Sequence, residues 1–292
     1  MSCSLDPNLK LWDLELNTCL QTIDSTHAKT ITTSLLLNDL DGQFKILTGS
    51  MDQTIQLIDL DQGVLISSFI GHQDSITCLV QAHKIFDEFE GFLSGSDDGT
   101  IKIWKFECSD PVSEIKVNVP IKSMISLRDF SENVKFAVFV GLNNGKISIY
   151  DILGQKLLNQ LIHSEKNNES ITCLEIFKNV DNTFLLSGCS DGSIKVWDPS
   201  KGDMVKSYQE TNQMITCLSS ALFKGKNIFI SGSLDEKNGE VKLWNLEDDK
   251  SFKTIKNHGF GVKSMCYLEK YEYLAVSWNN GFRVLKLNKE LS

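Results

Sequence analysis

His72, Ser94 and Asp98 form one ordered trio in the chain, and His163, Ser187 and Asp191 form a second. A hydroxyl nucleophile, an imidazole base and an orienting carboxylate are the parts of a hydrolase triad, so acyl transfer is the first chemistry they suggest. Recurrence argues the other way. One active site needs one trio, whereas here the same residue types return, each time followed by a tryptophan, Trp104 or Trp197. The trios read as parts of a repeated framework, and no catalytic residue is assigned. Gly141–Lys146 (GLNNGK) approaches a phosphate-binding loop but is one residue short and lacks the following Ser or Thr. It also falls in a hairpin turn rather than ahead of a helix. The eight cysteines include no CxxC pair, and Cys78, Cys173 and Cys217 share one repeat position (SITCL, SITCL, MITCL) where other units place Ser34, Met124 or Met265. Small residues packed in a strand explain them better than zinc does. No metal or cofactor is expected, and reduced thiols fit a cytoplasmic address, with nuclear or cytoskeletal association left open.

Charge and composition narrow the partners. The 292 residues carry a net charge of -9, with 41% hydrophobic and 23% charged residues, a balance that suits a globular chain and disfavours nucleic acid. Only Arg128 and Arg283 supply guanidinium groups, too few for a phosphate-reading cluster. The opening MSCSLDPNLK has neither the basic start nor the apolar run of a signal peptide, so the sequon Asn168-Glu169-Ser170 is not expected to be glycosylated. No stretch approaches the ~20 apolar residues of a spanning helix, and no membrane insertion is expected.

The residues around the trios recur as a phrase. LSGSDDGTIKIW ends at Trp104, SGCSDGSIKVW at Trp197, SGSLDEKNGEVKLW at Trp244 and SCSLDPNLKLW at Trp12. With Ile58 and Tyr150 as equivalents, the endpoints stand 46 or 47 residues apart as far as Trp244, and Leu285 follows 41 residues later. A period of that size from end to end predicts a repeat architecture. Each unit alternates apolar and polar residues and is rich in β-branched side chains, which predicts strands. In the third unit the four strands are expected at Ser75–Gln81, Phe89–Ser96, Thr100–Lys105 and Val112–Val117. Asp98-Gly99, Asn144-Gly145 and Asp191-Gly192 predict tight two-residue hairpins with positive φ at both central residues. The units end near residues 23, 70, 118, 162, 209, 256 and 292, within a single domain spanning 1–292.

The Gly71-His72 pair, the Ser-Gly-Ser before the turn, the turn Asp and the closing Trp resemble the WD-repeat family of β-propellers. The resemblance covers nearly the whole chain and implies an all-β, seven-bladed propeller of four-stranded antiparallel blades. It also implies hydrogen-bonded sets of His72, Ser94, Asp98 and Trp104 and of His163, Ser187, Asp191 and Trp197. Physical chemistry agrees with such a set. An indole only donates and a carboxylate only accepts, so a hydroxyl and an imidazole must link them when both are buried. The second unit keeps His27, Thr48 and Asp52 but closes on Ile58. Ser2–Asp6 aligns on Ser94–Asp98, and the sequence from Tyr273 aligns on that from Phe92, so the first and last blades are expected to be incomplete. Residues upstream of Met1 or another chain would complete that seam.

These features imply a non-catalytic scaffold for protein–protein interaction, within a larger assembly. The alternative is a substrate receptor of a ubiquitin ligase, where the family often places Arg or Lys two residues after Trp-Asp. Glu15 and Ser200 occupy those places here, which weakens that reading. Two insertions, His163–Ser170 (HSEKNNES) and Asp235–Gly239 (DEKNG), offer Glu165, Lys166, Glu236 and Lys237 as candidate contacts. The residue before each turn Asp faces the channel mouth in the family. There Leu234, Trp278, Leu5 and Met51 are consecutive around a closed ring and would form an apolar arc for a partner.

Overall fold

A computed structural model describes residues 2, 3, 8–13, 16, 18–38, 44–82, 90–179, 182–210, 212–223, 225–234, 239–256, 261–278 and 281–287. The alternating pattern becomes strands almost throughout. β1 (Ser2–Cys3), β2 (Asn8–Asp13) and β3 (Thr18–Asp24) form the first sheet, and β4 (Ile31–Asn38), β5 (Phe44–Ser50), β6 (Thr54–Asp59) and β7 (Val64–Ile70) the second. The third comprises β8 (Ile76–Ala82), β9 (Gly91–Ser96), β10 (Thr100–Lys105) and β11 (Ser113–Lys116). β12 (Ile121–Ser131), β13 (Val134–Leu142), β14 (Lys146–Asp151) and β15 (Lys156–Ile162) make the fourth. β16 (Ile171–Lys178), β17 (Thr183–Cys189), β18 (Ile194–Asp198) and β19 (Asp203–Tyr208) make the fifth. The sixth holds β20 (Ile215–Phe223), β21 (Lys226–Ser233), β22 (Glu240–Trp244) and β23 (Lys253–Lys256). β24 (Ser264–Leu268), β25 (Tyr273–Trp278) and β26 (Gly281–Lys286) close the series.

The fold is an all-β propeller of antiparallel blades, and the expected count of seven needs correcting. Among the described residues six sheets have at least three strands of four residues or more, and these are the blades, each numbered by its sheet from the second to the seventh. The first unit supplies only a ribbon. Its β2–β3 ladder is joined by the two-residue β1 through Ser2↔Lys10 and Cys3↔Leu9, and among the described residues no strand lies inside β1. The ribbon buries Leu9 and Ile23 against the second sheet, but its third strand pairs over two residues only, short of a blade among the described residues. The last blade has three described strands.

The turns also differ from expectation. Strands β9 and β10 are joined by three residues, with Gly99 at φ 75 while Asp98 keeps an ordinary negative φ. Gly99 N donates to Ser96 O at 3.2 Å. A three-residue connection with its last residue left-handed needs positive φ at one position only, and Gly145 (φ 76) repeats it, while between β17 and β18 the left-handed Gly192 (φ 87) is the third of four connecting residues. In the second blade the same place is taken by Gln53 at φ 75.

The described chain divides into two compact units, one of residues Met1–Ser126 and Ile152–Gln155, the other of Leu127–Asp151 and Lys156–Ser292. In the first, Phe69, Phe92, Trp104, Leu47, Ile55 and Ile76 pack between the second and third sheets. In the second, Tyr208, Phe229 and Trp244 with Phe177, Leu186 and Val196 do the same between the fifth and sixth. The glycine before each of these turns is set by close approach. A Cβ on Gly95 would lie 2.7 Å from Cys78 Sγ and 2.8 Å from Ile121 Cγ2, and Gly188 and Gly232 stand equally close to Cys173 and Cys217. The threonines of the innermost strands tie neighbouring blades: Thr216 Oγ1 donates to Val262 O at 2.7 Å, and Thr172 Oγ1 to Ile215 O. Cys78, Cys173 and Cys217 are thus packing residues, and burial pushes the Cys78 and Cys217 thiols up to about 12.

Candidate functional site

In the third blade, the loop after β7 brings in His72, β9 carries Ser94, the turn carries Asp98 and β10 carries Trp104. The indole N–H of Trp104 donates to Ser94 Oγ at 2.8 Å. That leaves the Ser94 hydroxyl proton for His72 Nε2 at 2.7 Å, and His72 Nδ1–H for Asp98 Oδ2 at 2.7 Å. Asp98 also accepts from Gln73 N at 2.9 Å, Thr100 N at 2.8 Å and Thr100 Oγ1 at 2.7 Å. Burial alone would raise its pKa; these hydrogen bonds, His72 foremost, outweigh burial and hold it below the usual carboxylate range.

The fifth blade joins the same four residues differently. Trp197 Nε1–H donates to Ser187 Oγ at 2.8 Å, and the Ser187 hydroxyl then faces His163 Nδ1 at 2.7 Å. The other ring nitrogen, Nε2, donates to Ser193 Oγ at 2.7 Å, and Ser193 Oγ donates to Asp191 Oδ1 at 2.5 Å. A hydroxyl is inserted between ring and carboxylate, and the imidazole carries its proton on the opposite nitrogen. Ser193 was not singled out from the sequence, although it stands two residues after the turn Asp, as Thr100 and Thr54 do. Burial and then the Lys195 ammonium lower the His163 pKa to about 4; Lys195 Nζ donates to His163 O at 2.6 Å. In the second blade His27 meets Asp52 at 3.0 Å and Thr48 at 2.9 Å, with no indole to complete the chain. In the sixth blade, the Trp244–Ser231 bond of 2.8 Å recurs.

These arrangements do not position a nucleophile for attack. His72, Ser94, His163 and Ser187 are all buried. Each hydroxyl already accepts an indole proton and gives its own to an imidazole, so its proton and one lone pair are engaged. His163, Cys189 and Asp191 have ligand atoms within 4.8 Å of one another. Both His163 nitrogens are occupied, however, and burial pushes the Cys189 thiol up to about 11, so the set does not fit a metal ion as it stands.

The candidate partner-binding residues fall in several places. Met51 is 46% exposed, while Leu234 and Trp278 are half-buried. Trp278 lines a narrow crevice between the sixth and seventh sheets with Ile255, Lys256, Arg283 and Leu285. Leu5, Glu236 and Lys237 lie outside the described residues. Met51 belongs to one compact unit and Leu234 and Trp278 to the other. Asp97 and Ser190, which precede the turn aspartates of the third and fifth units, are bonded to neighbours: Asp97 pairs with Lys122 at 2.6 Å, and Ser190 Oγ accepts from Ser170 N at 2.9 Å. In the His163–Ser170 loop, Glu165 is exposed and Lys166 pairs with Glu169 at 2.9 Å. A cleft of about 360 Å³, lined by Lys178, Ser220, Leu222, Asn227, Tyr267 and Glu269, opens at the far ends of the innermost strands. Among the described residues no helix is long and apolar enough to cross a membrane.

Comparison with known proteins agrees with this architecture. The chain is 28% identical over 237 residues to a WD repeat-containing protein 55 homolog of Dictyostelium discoideum, covering 80% of this chain and 52% of that protein. It is 25% identical over 257 residues to a p21-activated protein kinase-interacting protein 1-like of Danio rerio, covering 74% and 64%. Human pre-mRNA-processing factor 17 is 22% identical over 238 residues, covering 77% and 40%. The chain thus spans about half to two-thirds of the length of the first two relatives. Residues 14–225 match the family described as nucleolar protein 10-like, N-terminal domain, and with most of its length inside that match the chain belongs to this family.

Proposed function

We propose that the chain is a non-catalytic WD-repeat scaffold that mediates protein–protein interactions as a subunit of a larger assembly. One observation carries the reading: the side chains that could do chemistry are bonded to one another inside the blades, from Trp104 through Ser94 and His72 to Asp98. What the blades present to solvent are corners and loops that differ between repeats, such as Met51 and the His163–Ser170 loop. The relatives' names point the same way, since one is called kinase-interacting and another a pre-mRNA-processing factor. A nuclear address fits the nucleolar family name as well as a cytoplasmic one fits reduced thiols. The net charge of -9 favours protein over nucleic-acid partners.

The test is affinity purification of the tagged full chain with mass spectrometry. The expected result is a small set of proteins recovered in stoichiometric amounts. Met51→Ala combined with Glu165→Ala should weaken that recovery while leaving the thermal midpoint in place. Recovery of no stoichiometric protein under conditions where the chain is folded would sink the scaffold reading.

A further inference from the structure

The outermost strand of the second blade lacks the protection its counterparts have. β7 reads VLISSFI and contains no charged residue. Every other outermost strand carries at least one: Asp24 in β3, Glu114 and Lys116 in β11, Lys156 in β15, Asp203 and Lys206 in β19, Lys253 and Lys256 in β23. Charges on edge strands are a standard defence against pairing with another chain. The register of β6 and β7 also shifts at Leu57/Ile58, which breaks the alternation, and Val64, Leu65 and Ile66 are all exposed, at 42–47%. Among the described residues, β6 is the one strand neighbour of β7, and only the far end is tied, where Ile70 N donates to Ser109 O at 3.2 Å. Gln21 of β3 reaches only the turn before β7, where a Cβ on Gly63 would stand 2.9 Å from Gln21 Nε2.

We propose that β7 is a homodimer contact: two copies of the chain pair β7 against β7 in antiparallel, joining two four-stranded sheets about a two-fold axis. Charge selects this occupant. The strand offers no counter-charge to a charged segment, and a second copy matches it in being uncharged and apolar over the same length. Two chains of net charge -9 repel, so a self-contact belongs where neither brings a charge. A two-fold contact needs one self-complementary patch, and an antiparallel strand pair is self-complementary by construction. Val64, Leu65 and Ile66 with the strand's own backbone offer a small contact, in the range of an exchangeable dimer rather than a permanent one. This inference stands apart from the scaffold reading and does not depend on it.

The experiment measures the mass of the full chain in solution from about 1 to about 100 µM, a range that brackets micromolar association. The wild type should pass from monomer to dimer. Ile66→Lys and Ile66→Glu should each remain monomeric, with a dissociation constant raised at least about tenfold and an unchanged thermal midpoint. Mixing those two variants should restore association. Hydrogen exchange of the wild type gives a readout that needs no variant: the amides of residues 64–69 should gain protection as concentration rises. A wild type that stays monomeric throughout, or a dimer indifferent to both substitutions, would overturn the proposal. So would protection at residues 64–69 that appears only when another protein is added to a monomeric chain.

Discussion

The third and fifth blades hold the same four residue types and connect them differently. In both, the chain of hydrogen bonds runs from indole donor to carboxylate acceptor. In the third, His72 reaches Asp98 directly; in the fifth, His163 reaches Asp191 only through the Ser193 hydroxyl. The polarity of the end groups is what both arrangements share, because the indole can only donate and the carboxylate only accept. Imidazole serves as the link in either tautomer. Residue types therefore dictate the direction of the chain, while the ring edge that faces the carboxylate differs between the two blades.

The largest difference is expected on removing the carboxylates. Asp98→Ala strands the His72 ring proton and the amides of Gln73 and Thr100, and should cost about 4 kcal/mol. Asp191→Ala strands mainly Ser193, whose hydroxyl can turn elsewhere, and should cost about 2 kcal/mol. Urea denaturation of both variants checks this. Equal losses would break the comparison, since the direct ring–carboxylate contact would then add nothing.

Acid should separate the two blades next. The His163 pKa is lowered to about 4 from an ordinary value of 6.5, so the unfolded chain takes up that proton first. Its contribution is complete above about pH 6.5 and is lost as pH falls toward 4, amounting to on the order of 3 kcal/mol. Asp98 is depressed instead, so its contribution persists through this window and is lost only at lower pH. Denaturation midpoints between pH 7 and pH 4 should therefore fall less steeply for His163→Gln than for the wild type. Parallel profiles would show that the buried imidazole does not set the acid response.

Both behaviours rest on features of unequal legibility in the sequence. The strands of the third unit were readable from alternation, and β10 spans Thr100–Lys105, the range expected for it. The hairpin turns were half readable: Gly99 signalled a left-handed residue, but the signal extends only to the glycine, and Asp98 stays in ordinary backbone space. Ser193 could have been seen from the Asp-x-Ser/Thr spacing it shares with Thr54 and Thr100. Its insertion into the chain could not, because that depends on where the ring lands. The blade count failed for a related reason. The repeated phrase ending at Trp12 marks a unit, yet a blade requires paired strands on both sides of it, and β1 pairs over two residues only. Exposure was the least legible property. Trp278 aligns with residues that display themselves at a corner, yet it turns into a crevice beside Ile255 and Arg283.

The smallest expected effect isolates the cause of the different wiring. Two differences accompany it. His163 stands eight residues before its strand at Ile171, whereas His72 stands four before Ile76; and Ser193 replaces the threonine found at 100. The second blade does not separate them, since His27 stands four residues before Ile31 and Thr54 is a threonine. Its ring is oriented like that of His72, with Nε2 on Thr48 and Nδ1 on Asp52. Ser193→Thr does separate them. The added methyl leaves the hydroxyl in reach of Asp191, so the stability change should stay under about 1 kcal/mol. The long loop still delivers the Nε2 edge toward residue 193, so the imidazole nitrogen shifts measured by NMR should keep the Nε2–H tautomer. A switch to Nδ1–H in this variant would assign the wiring to the missing methyl, and the loop would then be a spacer with no part in orienting the ring.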